Sequence, residues 1–334
     1  MTPREIASRN DAAGNLEGRI SDVDRNELVS NPRSGGWVVC RVLLVVQVLA
    51  LVVSPPAHGW GYIAHRIVSE KAVTVLPGAL GVFFRSHAVT VSDRSLEPDT
   101  VLKHDDPDEE PRHFINLEAY TSKPLDLAGL PRDLSGAVHR YGAKRLRKNG
   151  VLPWWIKESA ARLRDAMKKG SSEQILREAG YLAHYVADLH QPLHLTRNYD
   201  GRETGNSGVH AAYERFMIER YARAYREVPV REDAGSPVGD PADWAMHRAS
   251  QVYPEAARVL AADTAARALA GDDERRYLSA LDARLRVLTR GLMGDAAAAT
   301  ALLWRRAWIE AGRPDPAHWT LANRVPVPAG KAGE

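Results

Sequence analysis

Residues 181–194 read YLAHYVADLHQPLH and place His184, Asp188, His190 and His194 within one short span of a chain that has 12 histidines in 334 residues. Upstream, SSEQILREAG continues the same three- and four-residue apolar spacing, which predicts a helix over 172–190 that ends before Pro192. Residues four apart on a helix share a face, so His184 and Asp188 can meet at one point. His194 lies beyond Pro192, where the chain leaves the helix and can turn back toward it. Two readings stay open on this stretch alone: a half-buried helix with polar decoration, or a metal site.

Working outward, the periodicity is helical nearly throughout. YIAHRIVSEKAVTVL, residues 62–76, carries apolar side chains at helical intervals up to Pro77. Residues 87–112, with HDDPDEEPR, break that pattern and read as a long ordered loop of the kind that usually carries function. Helices are expected again at 136–149 and 153–169. A Gly- and Asn-containing loop is expected at 195–208, and a further helix at 209–227. Residues 241–312 should hold at least three helical runs rich in Ala, Leu and Arg. With almost no strand signal, the expected fold class is all-α, as a single domain over residues 60–320 with a C-terminal tail at 321–334.

The composition, 44% hydrophobic and 26% charged, fits a folded globular chain. Forty-five basic residues against 42 acidic ones leave a net charge of only +3, too balanced for a dedicated DNA-binding protein. VLLVVQVLALVV, residues 42–53, is too short for an ordinary membrane-spanning helix. Preceded by Arg41 and followed by SPPAHG, it is read within 37–59 as a signal peptide cleaved between Gly59 and Trp60, with an uncleaved membrane anchor as the alternative. Residues 1–36 are then an unusually long polar leader, and translation is expected to start downstream, at a valine just before Arg41. The expected location is secreted or periplasmic. Cys40 is the sole cysteine, so the processed chain would have none and would rely on its core, on metal, or on both.

GVHAAYE places His210 and Glu214 four apart on the next helix. Either pair alone is more often a surface ion pair, but two such pairs on successive helices, with His194 between them, match a metal site in a bundle core. Imidazole nitrogen and carboxylate oxygen suit zinc. HYVADLHQPLH with the later HAAYE resembles the superfamily of zinc-dependent phospholipases C and single-strand-specific zinc nucleases. WGYIAH, with His65 five residues after Trp60, is similar to the nuclease branch. PDTVLKHDDPDEEPRHF, with Asp99 fourteen residues before His113, is similar to the phospholipase branch.

The resemblance covers about residues 60–220, and it implies an all-helical hydrolase of phosphoester bonds with three Zn²⁺ ions in a cleft. One ion would be held by Asp99, His113, His184 and Asp188, and a second by His194, His210 and Glu214. The third would take the freed amine and carbonyl of Trp60, together with His65 and the other oxygen of Asp188. Attack on phosphorus would come from zinc-activated hydroxide, with Asp99 orienting or deprotonating the water. Glu214 departs from the aspartate usual in the nucleases. That departure and the Asp99–His113 spacing favour a phospholipase C-like enzyme releasing diacylglycerol and a phosphorylated head group. Gly205-Asn206 and the Trp60–His65 spacing favour the alternative, an endonuclease or 3′-nucleotidase acting on single strands. A non-catalytic, zinc-stabilised helical binding protein is the third reading. Phospholipid or single-stranded nucleic acid is the expected partner, as substrate, with transient membrane-surface contact on the lipid reading. No stable partner is inferred, and the chain is read as a monomer.

Of the other candidates, His190 sits two residues after Asp188 and points elsewhere on a helix, so it is expected to support a ligand rather than to be one. Asp93 and His104 are the rivals to Asp99 and its neighbours. His87, like His104, lies close to Asp99 along the chain, while His139, His247 and His318 read as surface or capping residues. Phe114 is expected either to offer a ring beside the site or to join the core. Trp154 and Trp155 are expected to be core or interface residues, with a lipid-surface role as the rival.

Overall fold

A helix that is buried all round must lie inside a bundle, and the 172–190 stretch behaves this way over its second half. In the computed structural model, which describes residues 60–122, 124, 126–230 and 239–320, it forms a helix over Ser172–Leu189 that is buried without a break from Leu182 to Leu189. Ser171 caps its start, its hydroxyl accepting from the Gln174 amide at 3.4 Å. The expected leader, signal peptide, Cys40 and C-terminal tail lie outside the described residues.

The helices that position the site are α1 (Tyr62–Thr74), α2 (Gly78–Ser86), α3 (Ala88–Arg94), α4 (Leu134–Tyr141), α5 (Ala143–Asn149), α6 (Leu152–Lys169) and α7 (Ser172–Leu189). Three more follow: α8 (Pro241–Val252), α9 (Glu255–Ala270) and the long α10 (Glu274–Glu310). α7 is the hub, packed against α1, α3, α6, α8 and α10, while α10 also lies along α1, α6 and α9. The described residues belong to one compact unit. Among them there is no strand, only an isolated bridge between Ser171 and Thr320. The fold is all-α and single-domain, as expected.

Large aromatics lock the bundle. Phe84 of α2 stacks on Trp304 of α10 with centroids 4.6 Å apart, and the Trp304 indole donates to the Ala179 carbonyl at 3.1 Å. Trp154 is fully buried and donates to the Pro131 carbonyl, while Trp155 lies under the guanidinium groups of Arg112 and Arg162. Both tryptophans are core residues, which removes the lipid-surface role.

Two expectations on the secondary structure before α6 need correction. Residues 87–112 are not a plain loop: they contain α3, a π-helical turn over Pro98–Leu102, a helical turn over Lys103–Asp105 and a 3₁₀ turn over Glu110–Arg112. Their charged composition hides helical turns whose apolar faces are short. The expected 136–149 helix is two helices broken at Gly142, whose φ of 78° no helix accommodates. Among the described residues, no helix is long and apolar enough to cross a membrane.

Candidate metal centre

At the C-terminal end of α7, His184 and Asp188 face inward as their spacing predicts, both fully buried. His184 Nε2 lies 3.2 Å from Asp188 Oδ2 and 3.0 Å from His113 Nδ1, and His113 Nδ1 lies 3.0 Å from the same Asp188 oxygen. Asp99, carried on the π-helical turn, completes the group, with Oδ1 3.6 Å from His113 Nδ1 and Oδ2 3.9 Å from His184 Nε2. All four residues of the first expected set therefore converge.

The second expected set also converges. His194 Nε2 faces His210 Nε2 at 3.1 Å, and Glu214 Oε2 lies 3.0 Å from His210 Nε2 and 3.5 Å from His194 Nε2. His210 lies in a short helical turn, Val209–Ala211, that passes into a second π-helical turn, Ala212–Phe216, and Glu214 sits on that turn. The uniform helix expected over 209–227 is thus broken, yet the pair still meets.

Between the two sets lies His65 of α1, its ring stacked on that of His184 at 3.8 Å. Its Nε2 is 3.6 Å from Asp188 Oδ1, the oxygen turned away from His113. Trp60 is buried against Tyr213, and its indole donates to the Ala187 carbonyl at 2.8 Å, one residue before Asp188. In the full chain its nitrogen is a peptide nitrogen.

Whether these residues fit a metal can be judged from what they leave unpaired. Both nitrogens of His65, Asp188 Oδ1, His194 Nδ1 and Glu214 Oε1 are buried without a hydrogen-bond partner. A buried polar atom left so costs roughly 1–3 kcal/mol, and several in one place call for a ligand. Three groups can each hold an ion: His65, Asp99 and His184; His113, His184 and Asp188; and His194, His210 and Glu214. The donor set, nitrogen and oxygen without thiolate, fits zinc.

Neighbouring groups aim the donors. The Ser95 carbonyl lies 2.8 Å from His184 Nδ1, leaving Nε2 for the cluster. Gly180 makes this approach feasible, because a Cβ there would lie 2.6 Å from Arg94 Cβ and 2.9 Å from the Ser95 nitrogen. The Gln191 amide donates to Glu214 Oε2 at 3.1 Å. Glu109, fully buried, lies 3.2 Å from His113 Nε2. None of Ser95, Gln191 and Glu109 was expected from sequence; the Glu109–His113 spacing of four was the one available signal.

The electrostatics keep the carboxylates charged. Burial alone would raise the Asp188 pKa, but His184 and His194 hold it well below the usual range. For Asp99 burial is likewise opposed by His184, His113 and Lys103, and for Glu214 by His210 and His194; both stay low. Burial and the neighbouring His184 take His65 down to about 3, so its ring is neutral. Burial and Lys103 disfavour charge on His113, yet Asp188 and Glu109 outweigh them and lift it to about 8.

A cleft of about 260 Å³ opens on the cluster, lined by Lys103, Glu110, His113, Phe114, Asn116, Lys148, Leu193, His194, Thr196, Tyr199 and His210. Phe114 is thus at the site. Gly150 permits its position: a Cβ there would meet the Phe114 carbonyl oxygen at 2.0 Å, and its φ of 82° suits glycine alone. Lys103 Nζ pairs with Asp99 Oδ1 at 2.5 Å.

The rivals fall outside the cluster. Asp93 pairs with Arg66, His104 is exposed, and His87 contacts the Phe83 carbonyl. His139, His247 and His318 are exposed. His190 lies 2.7 Å from the Val186 carbonyl and is no part of the ligand groups. Asn206 is also absent from the cleft. Its amide donates to the Leu260 carbonyl, Asp263 and Thr264 of α9, so the Gly205-Asn206 element anchors its loop.

Residues 59–218 match the S1/P1 Nuclease family. No curated protein matches the chain. Among solved structures, the alpha toxin of Clostridium absonum aligns at 15% identity and a TM-score of 0.46, covering 76% of this chain and 65% of its own. The Clostridium perfringens alpha-toxin from avian strain SWCP aligns at 14% identity and 0.43, covering 78% and 67%. This chain therefore spans just under two thirds of the length of the first of them. Residues 59–218 include every expected ligand from Trp60 to Glu214, so the likeness to the S1/P1 Nuclease family falls on the converging histidines and carboxylates.

Proposed function

We propose that the cleft hydrolyses phosphodiester bonds of single-stranded nucleic acid with three zinc ions. Asp99, His113, His184 and Asp188 would hold one ion. His194, His210 and Glu214 would hold a second, and Trp60, His65 and Asp188 Oδ1 a third. When bound, the ions supply water activation near neutral pH and positive charge for the phosphoryl oxygens. Three ionised carboxylates against three dications leave the site net positive, as an anionic phosphodiester requires.

The chain's own groups do the rest. Asp99, only 5% exposed and held by Lys103, accepts a hydrogen bond from the attacking water and orients it. Lys103 also presents its ammonium to the cleft, where a phosphate oxygen can compete for it. Phe114 and Tyr199 offer ring faces to bases, and base–aromatic stacking contributes roughly 1–3 kcal/mol per base without demanding sequence.

The observation that carries this reading is the lining itself: two aromatic side chains, two lysines and Asn116 around the metal-binding cluster. The phospholipase reading favoured by sequence rests on Glu214 and the Asp99–His113 spacing. A lipid enzyme needs an apolar collar at the mouth, whereas among the described lining residues Leu193 is the one aliphatic side chain. Exposed Val82, Val89, Val138, Leu269, Val287 and Ile309 lie on elements other than the cleft lining, and Val101, two residues before Lys103, is the exposed aliphatic side chain nearest to it in sequence.

The test is a paired assay on protein beginning at Trp60, zinc-loaded and chelator-stripped, with single-stranded DNA in one arm and phosphatidylcholine vesicles in the other. Zinc-dependent nucleotide release alone supports the proposal. Head-group release alone moves the protein to the lipase side. Silence in both arms overturns both and favours a zinc-stabilised binding protein.

A further inference from the structure

We infer that Glu109 is a positioning residue for His113, selecting the ring nitrogen that faces the metal cluster and strengthening it as a donor. The inference rests on reading that cluster as a metal centre.

Glu109 stands out from the acidic run in which it lies. Asp105 and Glu110 are exposed and Asp106 and Asp108 half-buried, whereas Glu109 is fully buried. Burying a carboxylate costs several kcal/mol unless partners surround it. Here Tyr185 donates its hydroxyl to Oε1 at 2.6 Å, and Arg112 donates to Oε2 at 2.5 Å. The third neighbour is His113 Nε2, 3.2 Å from Oε1, where a small tilt of the ring completes a hydrogen bond.

A neutral imidazole carries one proton, and whichever nitrogen keeps it cannot ligate. A carboxylate beside Nε2 draws the proton there. Nδ1 lies 3.0 Å from both Asp188 Oδ2 and His184 Nε2, so a metal ion held there would take its lone pair and leave the proton on Nε2 for Glu109. His184 has only a neutral carbonyl, that of Ser95, for the same task. The two histidines of one set are therefore polarised unequally, and His113 is the stronger donor.

The frame that holds Glu109 is built from the site's own elements. Tyr185 directly follows His184 on α7, and the Arg112 guanidinium lies 3.9 Å over Trp155 of α6. Arg112 also pairs with Asp106 at 2.7 Å, so an acceptor for the guanidinium exists without Glu109. A purely structural ion pair would not require this carboxylate at His113.

The test measures zinc affinity, equivalent by equivalent, by chelator competition on the full chain for wild type, Glu109→Gln, Tyr185→Phe and Arg112→Met. Absorption of the Co²⁺-substituted protein serves as a second readout. We expect Glu109→Gln to weaken one zinc equivalent by about 10- to 100-fold, the usual cost of losing a ligand's outer partner, and to leave the others unchanged. Its Co²⁺ spectrum should change in the same equivalent. Tyr185→Phe should weaken that equivalent less, and it carries the test if Glu109→Gln does not fold. Arg112→Met should lower thermal stability with little effect on affinity. Unchanged zinc affinity and an unchanged Co²⁺ spectrum in Glu109→Gln and Tyr185→Phe would overturn the inference alone. Absence of zinc binding by the wild type would overturn both the inference and the metal-centre reading.

Discussion

His184 and Asp188 sit on an uninterrupted α-helix, whereas Asp99 and Glu214 sit on π-helical turns. On α7 the i,i+4 spacing alone brings the side chains to 3.2 Å, and burial on every side fixes them. A π-turn admits one extra residue into the helix and re-aims the side chains that follow, a device frequent at functional sites. Asp99 reaches His113 and His184 because the residues just before its turn are tied to α7, the Ser95 carbonyl at His184 and Glu97 accepting from the Tyr181 hydroxyl. The helix-borne pair is a rigid base, and the π-turn carboxylates are brought to it.

Asp188→Asn is the substitution with the largest expected effect. One oxygen of Asp188 serves His113 and His184 while the other faces His65, so two metal equivalents should be lost together. Activity should fall by more than the roughly 100-fold cost of an outer-partner loss. Glu214→Gln on its π-turn should cost one equivalent only. Elemental analysis of the purified variants checks both, and equal losses would erase the distinction between base and carried carboxylates.

Next is the chain that retains residues before Trp60. It should bind one zinc fewer than the form beginning at Trp60 and lose most activity; full activity would remove Trp60 from the site. Smaller again is Gly150→Ala. It forces an ordinary residue into a glycine-only region of backbone space, at roughly 1–3 kcal/mol, and pushes Phe114 out of the cleft. Calorimetry should register the stability loss, and KM for single-stranded DNA should rise more than kcat falls. Gly180→Ala acts at the rigid base: it should drive Ser95 off His184 and weaken the zinc equivalent that His184 serves, measurable by chelator competition.

The smallest effect concerns pH. Burial and nearby Arg248 hold the His190 pKa well below its usual 6.5, so the folded protein keeps the ring neutral. A depressed folded-state pKa means stability that is present above 6.5 and lost as pH falls toward the folded value. The His190→Asn variant should lose less thermal stability than wild type between pH 7 and 5, and parallel curves would refute this.

Much of the converging cluster is legible for local reasons. His184, Asp188, His210 and Glu214 announce themselves by four-residue spacing, and His194 by its place just past Pro192. His65, Asp99 and His113 came from family resemblance, because their partners lie tens of residues away along the chain. Glu109 and Gln191 were missed because an acid in HDDPDEEPR and a Gln before Pro192 look solvated. Nothing local tells that they are buried.

By itself, the sequence determined the helical class, the shared face of His184 and Asp188 on α7 and the chemistry of the donors, since periodicity and side-chain type are properties of neighbours along the chain. Only the tertiary structure decided that two π-turns deliver Asp99 and Glu214, that Phe114 and Tyr199 line the cleft, and that Asn206 anchors a loop instead. Those outcomes depend on which surfaces meet, and close packing between distant segments is written in no single stretch.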